Sequence, residues 1–430
     1  MQELKIKDIF DKTKVGTEVK LKGWIYRMRE SGGIVFSILR DSTGIIQLTT
    51  AKNNVDEETF NNAKRASIES SVTVEGTVQQ DERAPSGYEI KIKKFKIIGL
   101  SNNYPISRDF SKEYLLDVRH LWLRSRKMTS ILKIRSTVFG AIHEFLRNEG
   151  YCEVQPPMFT EVGSEGGSTL FEVPYFGKKV YLTQSWQLYA EAFIFSVEKA
   201  YTIAPSFRAE KSKTARHLTE FWHAEVEAAW EHFDDFIKLA ENLISYICKK
   251  VAESNVNELT ILDQSIDKLL SITPPFPRIT YSEAFAMLKK KGFDIDFGKD
   301  LGQTEEREIG KYFKKPVFIT HYPKEIMAFY KLKDPKNPKF CLNFNLIVPN
   351  VGEIIDGSER ESDINEIIKS LKSKNIDPSK YQWYLDSRRY GSVPHSGFGL
   401  GVDRLIMWIC GLDSIKDAIA FPRTMSRTYP

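Results

Sequence analysis

The chain has 430 residues, more than one ordinary hydrophobic core holds, so at least two domains are expected. At 41% hydrophobic and 28% charged residues, with 25 Gly and 18 Pro, it is neither a disordered tail nor a collagen-like or low-complexity chain. Sixty-two Lys and Arg against 57 Asp and Glu leave a net charge of +5, which excludes a saturating basic coat yet leaves a nucleic-acid partner open.

The amino terminus, MQELKIKDIF, carries no apolar signal core, and no uninterrupted apolar run of membrane-spanning length follows it. A cytosolic chain outside the membrane is the expectation. Three β-rich segments come next, Glu18 to Met28, Ile34 to Arg40 and Ile45 to Thr50, divided by turn signals at Ser31-Gly32-Gly33 and Asp41-Ser42-Thr43-Gly44. Val55 to Ala66 is helical in character, and strands are expected again at Ser71 to Gln79 and Tyr88 to Leu100. Five strands with a helix between the third and fourth is the order of an oligonucleotide-binding (OB) barrel.

Such barrels stack bases on exposed aromatics over a basic face. Phe36 lies mid-strand, Arg27 and Arg29 lie across the turn from it, and Lys91, Lys93, Lys94 and Lys96 line the last strand. A strand Phe in the core and a solvated lysine edge explain the same residues. The periodicity lapses at SNNYPISRDFSK, so the domains are placed at 1–102 and 126–430 with a hinge or linker over 103–125.

Beyond the linker, Ile131, Ile134, Val138, Ile142, Phe145 and Leu146 recur at helical spacing and the helix stops at Gly150. Hairpin-like pairs such as Glu172 to Phe176 with Lys179 to Thr183, and no βαβ rhythm, predict an α+β domain: an antiparallel sheet with helices packed around it. Helices are expected at Gln187 to Ser196, Phe233 to Val251 and Ser362 to Ser373. Cys152, Cys248, Cys341 and Cys410 have no metal-ligand spacing and read as buried thiols in a reducing compartment.

Two segments are too dense in charge and glycine for plain packing. In the first, FRAE is followed by a polar loop, RHLTEF and the alternating strand Trp222 to Trp230. Alternation puts Arg208 with Glu210 on one face, and Glu225 with Glu227 on one face of the neighbouring strand, a costly set of charges unless water or a charged ligand satisfies it. The second, GFGLGVDR, opens an apolar helix, Leu405 to Cys410. A glycine run there can cradle an anion with backbone amides, and tight strand-to-helix packing explains it equally. It is neither the GxGxxG dinucleotide fingerprint nor a Walker loop.

Together these segments resemble motifs 2 and 3 of the class II aminoacyl-tRNA synthetases, and the helix running into EGYCEVQPP resembles motif 1, the dimer-forming element with Pro157 at its interface. The resemblance spans essentially the whole chain. The N-terminal barrel is similar to that of the subgroup serving aspartate, asparagine and lysine. TQSWQLY, RHLTEF, GEIIDGSERE and YLDSRRYGSVPHSGFGLG resemble the aspartate and asparagine branch, close to the asparaginyl enzymes.

The resemblance implies activation of an amino acid by ATP to an adenylate, then transfer to the tRNA's terminal ribose, by positioning and charge stabilisation without a protein nucleophile. It makes Arg208 the clamp on the α-phosphate and carboxylate. Phe221 and Arg404 would sandwich the adenine, Glu210 would accept from its amino group, and Arg216 and His217 would meet the outer phosphates. Mg2+ on the ATP phosphates would take Glu353 as its principal protein ligand, with Asp356, where relatives carry glycine or serine, as a second ligand or a merely solvated acid.

For the amino acid, the lysine that aspartyl enzymes present to the substrate carboxylate is replaced by Ala190. Glu225 would accept from an amide NH2, Arg360 would donate to the amide oxygen, and Glu165 and Gln187, beside Ser185, would hold the α-amino end. Arg360 and Glu225 as structural partners of one another is the alternative. On the barrel, Phe36 would stack the central anticodon base, Gln47 and Glu89 would contact its neighbours, and Arg27 and Arg29 would assist. Partners implied are ATP, asparagine, the asparagine tRNA and a second copy of the chain. An aspartyl enzyme, a barrel-less asparagine-forming paralogue and a noncatalytic RNA-binding relative are the rivals.

Overall fold

Alternation builds the amino-terminal unit, Met1–Ser111. Its strands are β1 (Gln2–Glu3), β2 (Glu18–Ser31), β3 (Ile34–Arg40), β4 (Ile45–Ala51), β5 (Ser71–Gln80) and β6 (Tyr88–Gly99). β2, β3 and β4 form an antiparallel meander, β4 runs parallel to β6, β6 pairs antiparallel with β5, and β5 returns to β2. That last pairing closes a five-stranded barrel, with β1 added parallel to β2 outside it. Every second residue points inward: Val35 and Leu39, Ile46 and Leu48, Val72 and Val74 are buried in one cluster. The helix Glu57–Arg65 fills the β4–β5 connection, its first turn capped by Asp56, which accepts from the Thr59 N–H at 2.7 Å.

The computed structural model describes residues 2–106, 110–164, 169–211 and 214–430. The second unit, Lys112–Pro430, begins inside the expected linker, where Lys112–Asp117 and Arg119–Trp122 are short helices. They are anchored by Arg119, whose buried guanidinium donates to the carbonyls of Lys416, Ile419 and Ala420 at 2.7, 3.0 and 2.9 Å and to Asp417 at 3.0 Å. These long-range partners are invisible to local periodicity.

The remaining strands are β7 (Cys152–Glu153), β8 (Phe159–Thr160), β9 (Glu172–Tyr175), β10 (Lys178–Leu182), β11 (Lys199–Phe207), β12 (Glu220–Ala229), β13 (Arg278–Thr280), β14 (Val317–Thr320), β15 (Asn343–Val348), β16 (Gly352–Glu359) and β17 (His395–Gly401). Three of them, β8-β10-β9, form a small antiparallel sheet. The large sheet has the order β13-β14-β15-β16-β17-β12-β11-β7; it is antiparallel through its centre and parallel only at its two edge pairs.

One face of this sheet is sealed by the helices Arg126–Asn148 and Phe233–Ser254, whose apolar stripes meet Ala224, Val226 and Ala228 of β12 and Phe398 and Leu400 of β17. The long helix ends at Asn148, and Gly150 follows it with φ +83°, a left-handed conformation that glycine adopts freely. Because β-strand side chains alternate, the odd-numbered residues of β12 and β17 face the other way, and there they build a polar floor. The expected α+β architecture, a barrel followed by a helix-flanked antiparallel sheet, is the one observed.

Of the four cysteines, Cys248, Cys341 and Cys410 are buried, but Cys152 is exposed on the edge strand β7. An edge strand has no neighbour on one side to cover it, which corrects the expectation that all four are buried. Among the described residues, no helix is long and apolar enough to cross a membrane.

Candidate functional site: the floor of the large sheet

Strand register sets the site row by row. Across the centre of the sheet, Glu225 of β12 faces Gly399 of β17, which faces Asp356 of β16, which faces Asn345 of β15. One row along, the order is Glu227, Gly397, Ser358 and Asn343. The alternating glycines of the GFGLG segment therefore lie in a paired central strand and not in an anion-cradling loop. Their lack of a side chain is what leaves space: a Cβ on Gly397 would overlap the Glu227 carboxylate, and one on Gly399 would meet the His223 ring at 2.8 Å. With Gly399 between them, Glu225 and Asp356 stand two strand spacings apart, roughly 10 Å. The result is a cavity of about 340 Å³ lined by residues of both motif-like segments.

At one end of the cavity stand Phe221, Arg208 and Arg404. The Arg208 guanidinium lies over the Phe221 ring, 5.4 Å from its centroid. Arg404, the third residue after β17, turns to Glu353 and donates to both its backbone oxygen and Oε1 at 3.1 Å. Burial pulls the Arg404 pKa down while Glu353 opposes that shift. Arg216 is already paired: its guanidinium donates to Glu306, a buried acid on the helix Gln303–Gly310 that also accepts from the Glu353 N–H at 3.0 Å. His217 bonds Thr214 and lies 3.8 Å from Glu210. Burial, with Arg404, Arg216 and Arg208 nearby, drops its pKa to about 4, so its ring is neutral at pH 7.

Glu353 owes its position to a β-bulge. The register between β15 and β16 shifts at Leu346/Ile347, which places Glu353 opposite Ile347 and turns it onto the same face as Asn345 and Asp356. Asn345 donates to it at 2.6 Å. Burial, with Glu306 and Asp356 adding repulsion, pushes its pKa up to about 7. Asp356 has a different partner: both its oxygens accept from the Lys331 ammonium, at 2.6 and 2.9 Å.

At the other end lie Ser185, Gln187, Glu225 and Arg360. Glu225 accepts from the Ser185 hydroxyl and from the Trp186 N–H at 3.0 Å, which ties it to the start of the helix Gln187–Val197. His223 Nδ1 is 3.6 Å from Glu225, but burial holds the histidine far below its ordinary pKa, so this contact is not an ion pair. Arg360 is paired with Glu227 and not with Glu225: Nε and one Nη donate to the two oxygens at 2.8 and 2.9 Å, and the other Nη donates to Ser358 at 2.8 Å. Burial works against the Arg360 charge, yet Glu227 outweighs it and holds the pKa raised. Ala190 is buried among Trp186, Ile194, Ala200 and Ala229, away from the cavity. Glu165 lies outside the described residues.

Sequence reasoning brings Arg208, Glu210, Arg216, His217, Phe221, Ser185, Gln187, Glu225, Glu353, Asp356, Arg360 and Arg404 to this one cavity, and all of them line it. It missed Glu306 and Lys331, which sit in the motif-poor stretches TEERE and FYKLK. It also missed Glu227 as the partner of Arg360, although strand alternation had placed it on the correct face.

The barrel carries its own candidate surface. A bulge between Ile25 and Arg27 in β2 puts Arg27 opposite Ile38 and Arg29 opposite Phe36. Phe36 lies between the inward-facing Val35 and Ser37 and stays outside the barrel core, with the Arg29 guanidinium 4.8 Å from its ring centroid. Gln47 and Glu89 are register partners, joined by Gln47 Nε2 donating to Glu89 at 3.1 Å. Thr49 also donates to Glu89, at 2.6 Å. Trp24, which sequence reasoning passed over, is exposed on the same face opposite Arg40, whose guanidinium lies 5.5 Å from its ring.

Residues 111–425 match the model of the class II tRNA synthetases for D, K and N, and residues 19–98 match that of an OB-fold nucleic acid binding domain. The chain is 48% identical over 428 residues to the asparagine–tRNA ligase of Thermoplasma acidophilum, covering 99% of this chain and all of that one. Its structure is similar to the crystal structure of Pyrococcus horikoshii asparaginyl-tRNA synthetase complexed with asparaginyl-adenylate, with a TM-score of 0.96 and 46% identity over 99% of each chain. The Entamoeba histolytica asparaginyl-tRNA synthetase in complex with asparaginyl-adenylate follows at a TM-score of 0.89 and 30% identity, covering 100% of this chain and 99% of that one.

Proposed function

The chain belongs to the class II tRNA synthetases of the aspartate, lysine and asparagine group, and from that premise we infer that it is an asparagine–tRNA ligase. The asparagine carboxylate attacks the α-phosphate of ATP, displacing diphosphate and leaving asparaginyl-adenylate. The terminal ribose hydroxyl of the tRNA then takes the asparaginyl group and releases AMP.

One observation of the structure supports the choice of amino acid. This end of the cavity is lined by the buried Glu225 carboxylate, while the charge of Arg360 beside it is already matched by Glu227, a buried carboxylate off the cavity wall, so the balance there is negative. That excess of negative charge opposes an aspartate side chain, whose burial without a partner costs several kcal/mol. An amide has two donors for Glu225 and an acceptor for Arg360, so it satisfies both ends. Glu227 gives both its oxygens to Arg360 and fixes the plane of the guanidinium.

At the nucleotide end, Arg208 is assigned to the α-phosphate, where a planar donor meets charge that grows in the transition state. Adenine is assigned to the slot between Phe221 and Arg404, with Glu210 at its amino group, and the outer phosphates to Arg216 and His217. Since Arg216 is held by Glu306, phosphate binding by this residue means exchanging one anionic partner for another. The residues also fit a magnesium ion: Glu353, Glu306 and Asp356 are oxygen donors, and burial together with repulsion from the other two acids raises Glu353 to about 7. Magnesium would neutralise phosphate charge there, and Glu353 would hold it. Asp356 is already charge-paired with Lys331, so the assignment rests on Glu353.

On the barrel, Phe36 is assigned to base stacking, with Gln47, Glu89, Arg27 and Arg29 beside it on one face. Dimer formation through the helix Arg126–Asn148 and the segment to Pro157 is assigned from their likeness to motif 1. The test is charging of an asparagine tRNA with radiolabelled asparagine and, separately, aspartate. Label from asparagine alone is expected; equal label from aspartate overturns the reading of the cavity.

A further inference from the structure

The helix Gln187–Val197 places Gln187 and Glu191 four residues apart, on one face. Only the first lines the cavity; the Glu191 side chain is fully buried behind it. One Glu191 oxygen accepts from Gln187 Nε2 at 3.0 Å. The other faces three groups: the Tyr384 hydroxyl at 2.8 Å, His395 Nε2 at 3.0 Å and the Arg388 guanidinium, which is itself completely buried. Burial alone favours a neutral acid, but Arg388 and His395 overcome it and hold the carboxyl below its usual range.

An ionised carboxylate only accepts hydrogen bonds. The Gln187 side chain therefore has one choice of orientation: its NH2 must turn to Glu191, and its carbonyl oxygen is left for the cavity. Among the described residues nothing donates to that oxygen. An amino-acid substrate carries one cationic group, its α-ammonium, and a lone carbonyl acceptor on the wall beside Glu225 is matched to it.

We propose that Glu191 is a positioning residue that sets the polarity of Gln187, so that the Gln187 carbonyl accepts from the substrate's α-ammonium. The proposal rests on the ligase reading. It assigns the buried Glu191–Arg388–His395–Tyr384 cluster a task in substrate binding, carried through a residue that makes the contact itself. A glutamine at 191 offers either a donor or an acceptor and so releases this choice. An aspartate keeps the charge opposite Arg388 but withdraws the oxygen from Gln187.

The test uses asparagine and succinamate, which is asparagine without its α-amino group. Asparagine is measured by its KM in asparagine-dependent pyrophosphate exchange, and succinamate by its competitive inhibition constant, for the full chain and for Glu191→Gln and Glu191→Asp. The KM for asparagine is expected to rise about tenfold or more, the worth of one hydrogen bond to a charged group, while the succinamate constant moves less than about threefold. Gln187→Met should show the same asymmetry, and adding Glu191→Asp to it should change the asparagine KM little further. Equal weakening of both ligands, no change in either, or full additivity of the two substitutions would overturn the proposal. The ligase reading fails separately, through absence of asparagine-dependent exchange in the unsubstituted chain.

Discussion

Replacing Glu225 with glutamine removes one charge from the cavity with little change of shape. The Trp186 N–H, which donates to Glu225 at 3.0 Å, keeps an acceptor in the glutamine carbonyl, so the start of the helix Gln187–Val197 should survive. Asparagine then loses a hydrogen bond to a charged acceptor, about 1.5–3 kcal/mol, or roughly 10- to 150-fold in kcat/KM. Aspartate loses a repulsion instead: two like charges about 4 Å apart at an effective dielectric of 20 oppose each other by about 4 kcal/mol at most. The ratio of asparagine to aspartate efficiency should therefore narrow by at least the factor that asparagine loses. Pyrophosphate exchange measured with each amino acid reads both numbers on one protein sample. If both efficiencies fall together and the ratio holds, Glu225 only braces Ser185 and Trp186, and the reasoning on amide selection is refuted.

Glu227→Ala removes the carboxylate that pairs with the buried Arg360 guanidinium, leaving its hydrogen bond to Ser358 and the Tyr330 ring, and should lower unfolding stability by about 3–5 kcal/mol in denaturant titration; a loss below about 1 kcal/mol would show that the pair is not a fixed element. Because Glu353 binds its proton more tightly in the folded chain, its raised pKa makes stability fall as pH rises from the ordinary carboxylate value toward about 7, by at most about 3 kcal/mol and less for a side chain still one quarter exposed. Glu353→Gln should flatten the melting temperature over that range, and an unaltered slope would assign it to another group. Phe36→Ala should leave pyrophosphate exchange intact yet weaken tRNA charging by about 1–3 kcal/mol, or roughly 5- to 150-fold; equal charging by both proteins would remove Phe36 from the anticodon surface.

The barrel was legible because its strands alternate cleanly: Val35, Ser37 and Leu39 point inward, and Phe36 is left outside. Most cavity residues were legible because two short segments carry them. What the sequence hid was pairing at long range. Arg360 finds Glu227 from a strand 133 positions away, Arg216 finds Glu306 over 90, and Arg119 draws an expected linker into the second unit by bonds across about 300. The glycines of GFGLG allow an anion cradle or close packing from sequence alone, and only cross-strand register shows that Gly397 makes room for the Glu227–Arg360 pair. Glu353 depended on a bulge that no composition pattern announces.

The amino-acid choice is read from pyrophosphate exchange into ATP by the purified protein, with no tRNA present, driven in parallel by asparagine and by aspartate. Exchange with asparagine and at least a hundredfold less with aspartate is the expected result, a ratio on the order of the roughly 3 kcal/mol that an unpaired buried carboxylate costs. Comparable exchange with aspartate, or exchange with neither, would contradict it.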